Sequence, residues 1–170
     1  MNMTKVELLN ALVERTEEIT KDLLLPVKVQ REGEEPSERT PAVYKQRIPD
    51  MTQPSKKAPY IIHQIVNSRN IQHRGEYVAT TVTVRSIFCV YCEDEQEGSL
   101  MLLNVMERMR ISFLKDPILR KQFECVLTEE DGGGLEDLVY PDNIAPYYIG
   151  EMITVWDMPK VKREVPCIWQ

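Results

Sequence analysis

The sequence predicts an α+β fold: an antiparallel or mixed β-sheet covered on one face by two α-helices, with a polar hairpin arm. Three observations carry that expectation. Two segments, one at the N-terminus and one beyond residue 98, repeat apolar residues at helical spacing. Several other runs alternate apolar and polar residues at the period of a strand. The order is helix, strands, helix, strands, with no internal repeat and no sustained βαβ alternation, which disfavours a parallel doubly wound sheet.

Each element follows from local chemistry. Thr4-Lys5-Val6-Glu7 has the pattern of a capping box, in which Thr4 and Glu7 satisfy helix-opening N–H groups reciprocally. Leu8, Leu12, Ile19 and Leu23 then share one face, widened by Leu9 and Val13, opposite Glu14, Glu17, Glu18 and Lys21. Pro26 stops this helix, which the spacing extends to about Leu25. Residues 27–31 suggest a short strand. Residues 32–59 change character, with prolines at 36, 41, 49, 54 and 59, mixed charge and few large apolar groups. Within them AVYKQRI, residues 42–48, is expected to pair back on VKVQR as a hairpin arm.

Strands resume with YIIHQIVNSRNIQ from residue 60 and a turn at His73-Arg74-Gly75. EYVATTVTVRSIFCVYC, residues 76–92, follows without Gly or Pro. About 16 residues at roughly 3.3 Å each extend about 50 Å, whereas a domain of this length is roughly 40 Å across. Such a strand either bends sharply or sends one end toward a neighbouring subunit. Val78, Val82, Val84, Phe88 and Val90 fall on one face, and Thr81, Thr83 and Arg85 on the other, a solvated or subunit-facing side. Beyond Ser86 both faces are apolar, so that end is buried on two sides.

EDEQEG reads as an acidic turn, and SLMLLNVMERMRISFLK as the second helix, with Leu102, Val105, Met106, Met109 and Phe113 inward. Acids before its start and Arg108, Arg110 and Lys115 toward its end suit the helix dipole. Asp116-Pro117 ends it. QFECVLTEE is a further strand, EDGGGLED a flexible turn, and YYIGEMITVWDMP, residues 147–159, the last long strand before the tail of residues 160–170.

Composition bounds what such a domain can be. The 170 residues suit one domain spanning 1–170, with 42% hydrophobic and 28% charged residues. No apolar run approaches the roughly 20 residues of a membrane span, and the N-terminus has no signal-peptide core. The expected compartment is a cytosol, with the four cysteines reduced. A formal charge of −6 argues against a nucleic-acid-coating function and predicts no specific nucleic-acid binding. Acids gather at residues 93–97 and again at Glu129, Glu130, Asp131, Glu136, Asp137 and Asp142. These are solvated turns or, on the functional reading, a surface that repels DNA.

No candidate catalytic constellation is complete. Cys89-Val90-Tyr91-Cys92 has CxxC spacing, yet an extended strand sends positions three apart to opposite faces, where two sulfurs cannot share a metal. Cys125 and Cys167 stand apart from it. His63 and His73 lack metal-ligand spacing and an accompanying nucleophile motif. Gly132-Gly133-Gly134 has no following Lys-Ser/Thr and sits among acids that would repel a phosphate. No catalytic residue, metal or cofactor is expected, and an enzymatic reading would require a cleft containing His63 or the cysteine pair. The tail carries Ile168 and Trp169, which need an apolar place to dock, and Trp is a favoured interface anchor. Tyr77, Thr81, Thr83 and Arg85 of the long strand, Tyr44 of the arm, and Ile168 and Trp169 are therefore the expected subunit contacts.

APYIIHQIVNS, the strand ending FCVYCEDEQEG, the helix LMLLNVMERMR and the late YPDNIAPYYIGEMITVWDMP resemble prophage tail-assembly proteins over residues 58–159. More loosely, the element order is similar to the tail terminators and tail-completion proteins of long-tailed bacteriophages. The resemblance implies a small structural protein that forms a homo-oligomeric, hexameric ring at the head-proximal end of the tail tube. Its implied partners are itself, the tail tube and head-completion proteins. It further implies a place in the host cytoplasm during assembly and then in the virion tail. The alternative is a small non-enzymatic binding or adaptor module of a prophage.

Overall fold

A computed structural model of the chain describes residues 4–49, 57–141 and 145–162. Two helices, α1 (Lys5–Thr20) and α2 (Glu95–Lys115), lie on one face of a mixed sheet. The sheet runs β3 (Ala42–Lys45), β4 (Tyr60–Ile71), β5 (Ala79–Tyr91), β9 (Tyr147–Asp157). On the far edge of β9 lie β8 (Leu135–Val139) and β7 (Phe123–Cys125), with β6 (Ile118–Leu119) outside β7. Every pairing is antiparallel except β3 with β4. A separate ribbon joins β1 (Leu25–Val27) to β2 (Ser37–Arg39). The α+β class and the one-sided helical cover are as the sequence predicts.

The main core lies between sheet and helices. Val82, Val84, Phe88 and Val90 of β5 and Tyr148, Met152 and Trp156 of β9 meet Leu8 and Leu12 of α1. From α2 come Leu102, Val105, Met106, Met109 and Phe113, the five residues its spacing predicts. Gly98 allows the close approach of α2 to β9, since a Cβ there would collide with the Tyr148 ring. Three arginines tie the helices to their surroundings. Arg15 donates to Ser112 Oγ, the Asp116 carboxylate and two backbone carbonyls just past α2. Arg108 donates to the Ile19 carbonyl and Asp22, and Arg120 reaches Glu7 and Glu14 of α1. The Arg120 guanidinium holds the Glu14 carboxyl below its usual range.

Several elements differ from the sequence expectation. Helix α1 ends at Thr20, not near Leu25. Proline disfavours helical geometry for the residue before it, and Leu25 is already in β1, with Leu23 and Leu25 buried in the core. Of the capping box only one half forms: Thr4 Oγ1 accepts from the Glu7 N–H at 3.3 Å. The Glu7 carboxylate serves Asn10 and Arg120 instead. Helix α2 begins earlier than expected, at Glu95, because Asp94 acts as N-cap and accepts from the N–H groups of Gln96 and Glu97.

The arm is rearranged. It does close into a hairpin with the first strand region, but through residues 37–39. AVYK turns away from VKVQR and joins the main sheet as β3, parallel to β4. The reason is burial: Ala42, Tyr44 and Ile48 pack with Ala58, Tyr60, Ile62, Cys89 and Tyr91 as a second cluster on the sheet face opposite the helices. This cluster is why the Cys92 end of the long strand is apolar on both sides. Residues 50–56 of the arm lie outside the described residues.

The glycine run is a fitted turn. A 3-10 turn at Glu129–Asp131 closes on Gly132, at φ 71°, whose N–H donates to the Glu129 carbonyl. LEDLV then forms β8, where the sequence suggested loop. Between β6 and β7 a three-residue connection puts Arg120 at φ 48° and Lys121 at φ 56°, the left-handed geometry that favours Asn-Gly. Lys121→Gly is expected to raise stability by about 1 kcal/mol by relieving that geometry. The check is a higher urea midpoint at unchanged slope.

Candidate assembly surfaces

The long strand that suggested a projecting end is a central strand. β5 is paired by β4 over residues 79–89 and by β9 over residues 81–91. Both flanking strands are nearly as long as β5, so its backbone is used up inside the sheet. The Tyr77–Arg85 portion therefore cannot be a pairing edge, as its length alone suggested. What lies open is the outer half of its partner. β3 has four residues against the twelve of β4 and pairs only residues 60–63. Gln46 extends the cover by one step: its N–H donates to the His63 carbonyl and its side-chain oxygen accepts from the Ile65 N–H. From Val66 to Ile71 no strand among the described residues pairs the outer edge of β4.

A bulge between Ile65 and Asn67 resets which residues face which side. Before it Ile61 and His63 face the helices. After it Ser68 does, opposite buried Val82, while Asn67 and Arg69 face the open side, opposite Thr83 and Thr81. Lys5, at the start of α1, donates from Nζ to Ser68 Oγ at 2.6 Å and brings its charge to this edge.

At the other side of the sheet, β8 is an edge strand of five residues, exposed from Glu136 onward. Glu136 pairs with Ile153 and faces the open side, whereas Asp137 pairs with buried Met152 and faces the helices. Partial burial there raises the Asp137 pKa, against the opposing pull of Arg110 on α2. The acidic surface expected from Glu129, Glu130, Asp131, Glu136 and Asp137 is thus divided: the first three sit in the exposed 3-10 turn, and the last two point to opposite faces. Asp142 lies outside the described residues.

The remaining expected contacts are dispersed. Thr81, Thr83 and Arg85 share the open face, half-buried by their neighbours. Arg85 donates to Gln64 Oε1 at 2.9 Å and lies 4.0 Å from the Glu151 carboxylate. Ile149, Ile153 and Val155 of β9 continue this face. Tyr77 is exposed near the β4–β5 turn. Tyr44 sits near the opposite corner, edge-on to Tyr60 at 6.4 Å, engaged within its own chain. Ile168, Trp169 and Cys167 lie outside the described residues.

One surface escaped the sequence reading. α2 carries an outward apolar stripe of Leu100, Leu103, Ile111 and Leu114, the first and second 51% and 49% exposed. The spacing of three, eight and three residues holds it on the side away from Met109 and Phe113. That signal was visible in the sequence, but the stronger inward stripe masked it.

The groups with chemical potential are enclosed. Cys89 belongs to the open-face cluster and Cys92 to the helix-side cluster, so the CxxC sulfurs point apart as strand geometry requires. Burial pushes the Cys89 thiol up to about 11 and Cys125 to about 12, leaving both protonated at neutral pH. His63 is fully buried between α1 and the sheet. Thr16 Oγ1 gives its proton to the Leu12 carbonyl at 2.7 Å and so accepts from His63 Nε2–H at 2.7 Å. His63 Nδ1 then accepts from the Ser86 hydroxyl at 2.8 Å. This Ser-His-Thr chain has the contacts of a proton relay, but Ser86 and Thr16 are as buried as the imidazole. His73 sits exposed in the β4–β5 turn.

Among the described residues no group of three or more His, Cys, Asp or Glu side chains could hold a metal ion. No helix there is long and apolar enough to cross a membrane. No protein-family model matches the chain, and no curated protein matches it in sequence.

Proposed function

We propose that this chain is a structural component of a long-tailed phage or prophage tail, a tail terminator or close relative. It works as a homo-oligomeric ring at the head-proximal end of the tail tube. The observation that carries the reading is that, among the described residues, residues 66–71 of β4 and the outer side of β8 have no strand partner, at opposite sides of one sheet. A subunit with a donor edge on each side is suited to head-to-tail addition, and such addition closes into a ring when the rotation per subunit closes. The acids at Glu129, Glu130 and Asp131 suit a wall facing DNA, which a conduit should repel. The ring is six-membered by analogy with the resemblance. Its further partners are the tail tube and head-completion proteins, its place the host cytoplasm and then the virion tail.

Light scattering of the purified chain at micromolar concentration is expected to give a ring-sized mass, and negative-stain images a closed annulus. A strictly monomeric chain, also when mixed with tail tubes, would contradict the proposal. The outward stripe of α2 favours a second reading, an adaptor that binds one helical partner through Leu100, Leu103, Ile111 and Leu114. That version gives a monomer or dimer in solution and a single tight partner, whose binding is lost in a Leu103→Glu, Leu114→Glu variant.

A further inference from the structure

Resting on the ring reading, we infer that the subunit contact is antiparallel β-pairing of the free half of β4 on one copy with β8 of the next. Its specificity would be set by complementary charges on both sheet faces.

Strand direction is the first argument. β4 and β9 run one way, β5 and β8 the other, because each adjacent pair in the series β4-β5-β9-β8 is antiparallel. Rotation about an axis roughly along the strands preserves their directions. The β4 of the next copy therefore arrives antiparallel to β8, and the alternation continues across the junction without a break. The two free segments also match in length, six residues of β4 against five of β8.

Side-chain facing is the second. Aligning Arg69 with Glu136 of the next copy places both on the open face, since Arg69 lies opposite Thr81 and Glu136 opposite Ile153. The same register sets Ser68 against Asp137, both on the helix face. Lys5, whose ammonium rests on Ser68 Oγ, is then positioned for the Asp137 carboxylate. One register thus forms a pair of opposite charges on each face. A slip by one residue would instead turn the helix face of one copy to the open side of the next.

Charge distribution is the third. Proteins commonly blunt exposed edges with charged residues to prevent strand addition. Like charges on both edges would oppose every self-pairing. Here β4 meeting β4 brings cations together, β8 meeting β8 brings acids together, and only the β4–β8 contact is attractive. That selects head-to-tail growth over two-fold dimers. It also gives Glu136 and Asp137 a junction role distinct from the acids at residues 129–131.

Charge reversal tests the pairing. Lys5→Glu with Arg69→Glu makes the β4 edge acidic, and Glu136→Lys with Asp137→Lys makes the β8 edge basic. Far-UV circular dichroism and thermal melts establish that each variant remains folded. Each alone is expected to raise the concentration for half-assembly by at least about tenfold, because like charges now meet at every junction. The variant carrying all four reversals is expected to assemble at the wild-type concentration, as is an equimolar mixture of the two double variants in an alternating ring. Rings that persist in either double variant, or a folded four-residue variant that stays monomeric, would overturn the edge pairing while leaving the ring reading intact. A monomeric wild-type chain would overturn both.

Discussion

Trp156→Ala is expected to destabilise the fold by about 3–5 kcal/mol, the range for removing a large aromatic from a packed core. Trp156 is fully buried in β9 at the junction of the sheet with α2. Its ring meets Phe113 edge-on, 5.3 Å between centroids, an arrangement that adds to the area it buries. Its Nε1–H donates to Thr154 Oγ1 at 2.8 Å, and Thr154 is itself buried. Truncation therefore opens a cavity, ends an aromatic contact and takes a donor from a buried hydroxyl. Domains of this kind are stable by only about 5–15 kcal/mol, so one substitution would remove a fifth or more of the total. Trp156→Phe restores most of the volume but not the N–H, and is expected to cost roughly 1–3 kcal/mol. Urea unfolding followed by circular dichroism measures both. A loss below about 1 kcal/mol for Trp156→Ala would mean that the α2–sheet junction repacks freely.

The second large effect is a loss of stability in mild acid. Burial pushes the His63 pKa down to about 4, from an ordinary value of 6.5. The folded state thus resists a proton that the unfolded chain accepts. Above pH 6.5 both states hold the imidazole neutral and its contribution is constant. As pH falls from 6.5 toward 4 the unfolded state binds the proton first, so stability declines, by about 3 kcal/mol in full. Below 4 both states are protonated and the decline from this group stops. The hydrogen bonds hold the neutral ring in place: Nε2–H is committed to Thr16 and Nδ1 is occupied as an acceptor from Ser86. The carboxylates of Glu14, Asp22 and Glu107, held low by arginines, lose their contribution at lower pH, so the two windows separate. In a His63→Gln variant the decline in stability as pH falls from 6.5 to 4.5 is expected to disappear, whatever the cost of the substitution at pH 7. Parallel urea midpoints for wild type and variant across that range would refute the assignment.

The enclosed histidine also marks where sequence reasoning stops. His63 lies in an apolar run and was legible as a strand residue. Its partners Thr16 and Ser86 are 47 and 23 residues away, and Thr16 falls within an apolar helix stripe where a polar group gives no sign of its mate. The inward stripe of α2 was fully legible, because helical period and burial coincide there. The pairing within residues 25–48 is not legible in the sequence, because VKVQR and AVYKQRI are both acceptable strands by composition. Which of them joins the sheet depends on Tyr60, Ile62 and Cys89 offering an apolar surface to Tyr44 and Ile48. The bulge at Val66 leaves no compositional trace, yet it determines that Arg69 and Ser68 face as they do. β8 was hidden because LEDLV alternates weakly and follows three glycines.

By itself the sequence determined the α+β class, the two helices, the core face of α2, and the burial of the Cys92 end on both sides. It also determined the opposed directions of the CxxC sulfurs. These follow from periods of 3.6 and 2 residues, which are local. Tertiary structure alone decided that the long strand is central and that, among the described residues, the outer half of β4 and the outer side of β8 lack a strand partner. An edge exists only by the length of the strand beside it: four residues of β3 against twelve of β4 leave the open half where an assembly contact can form.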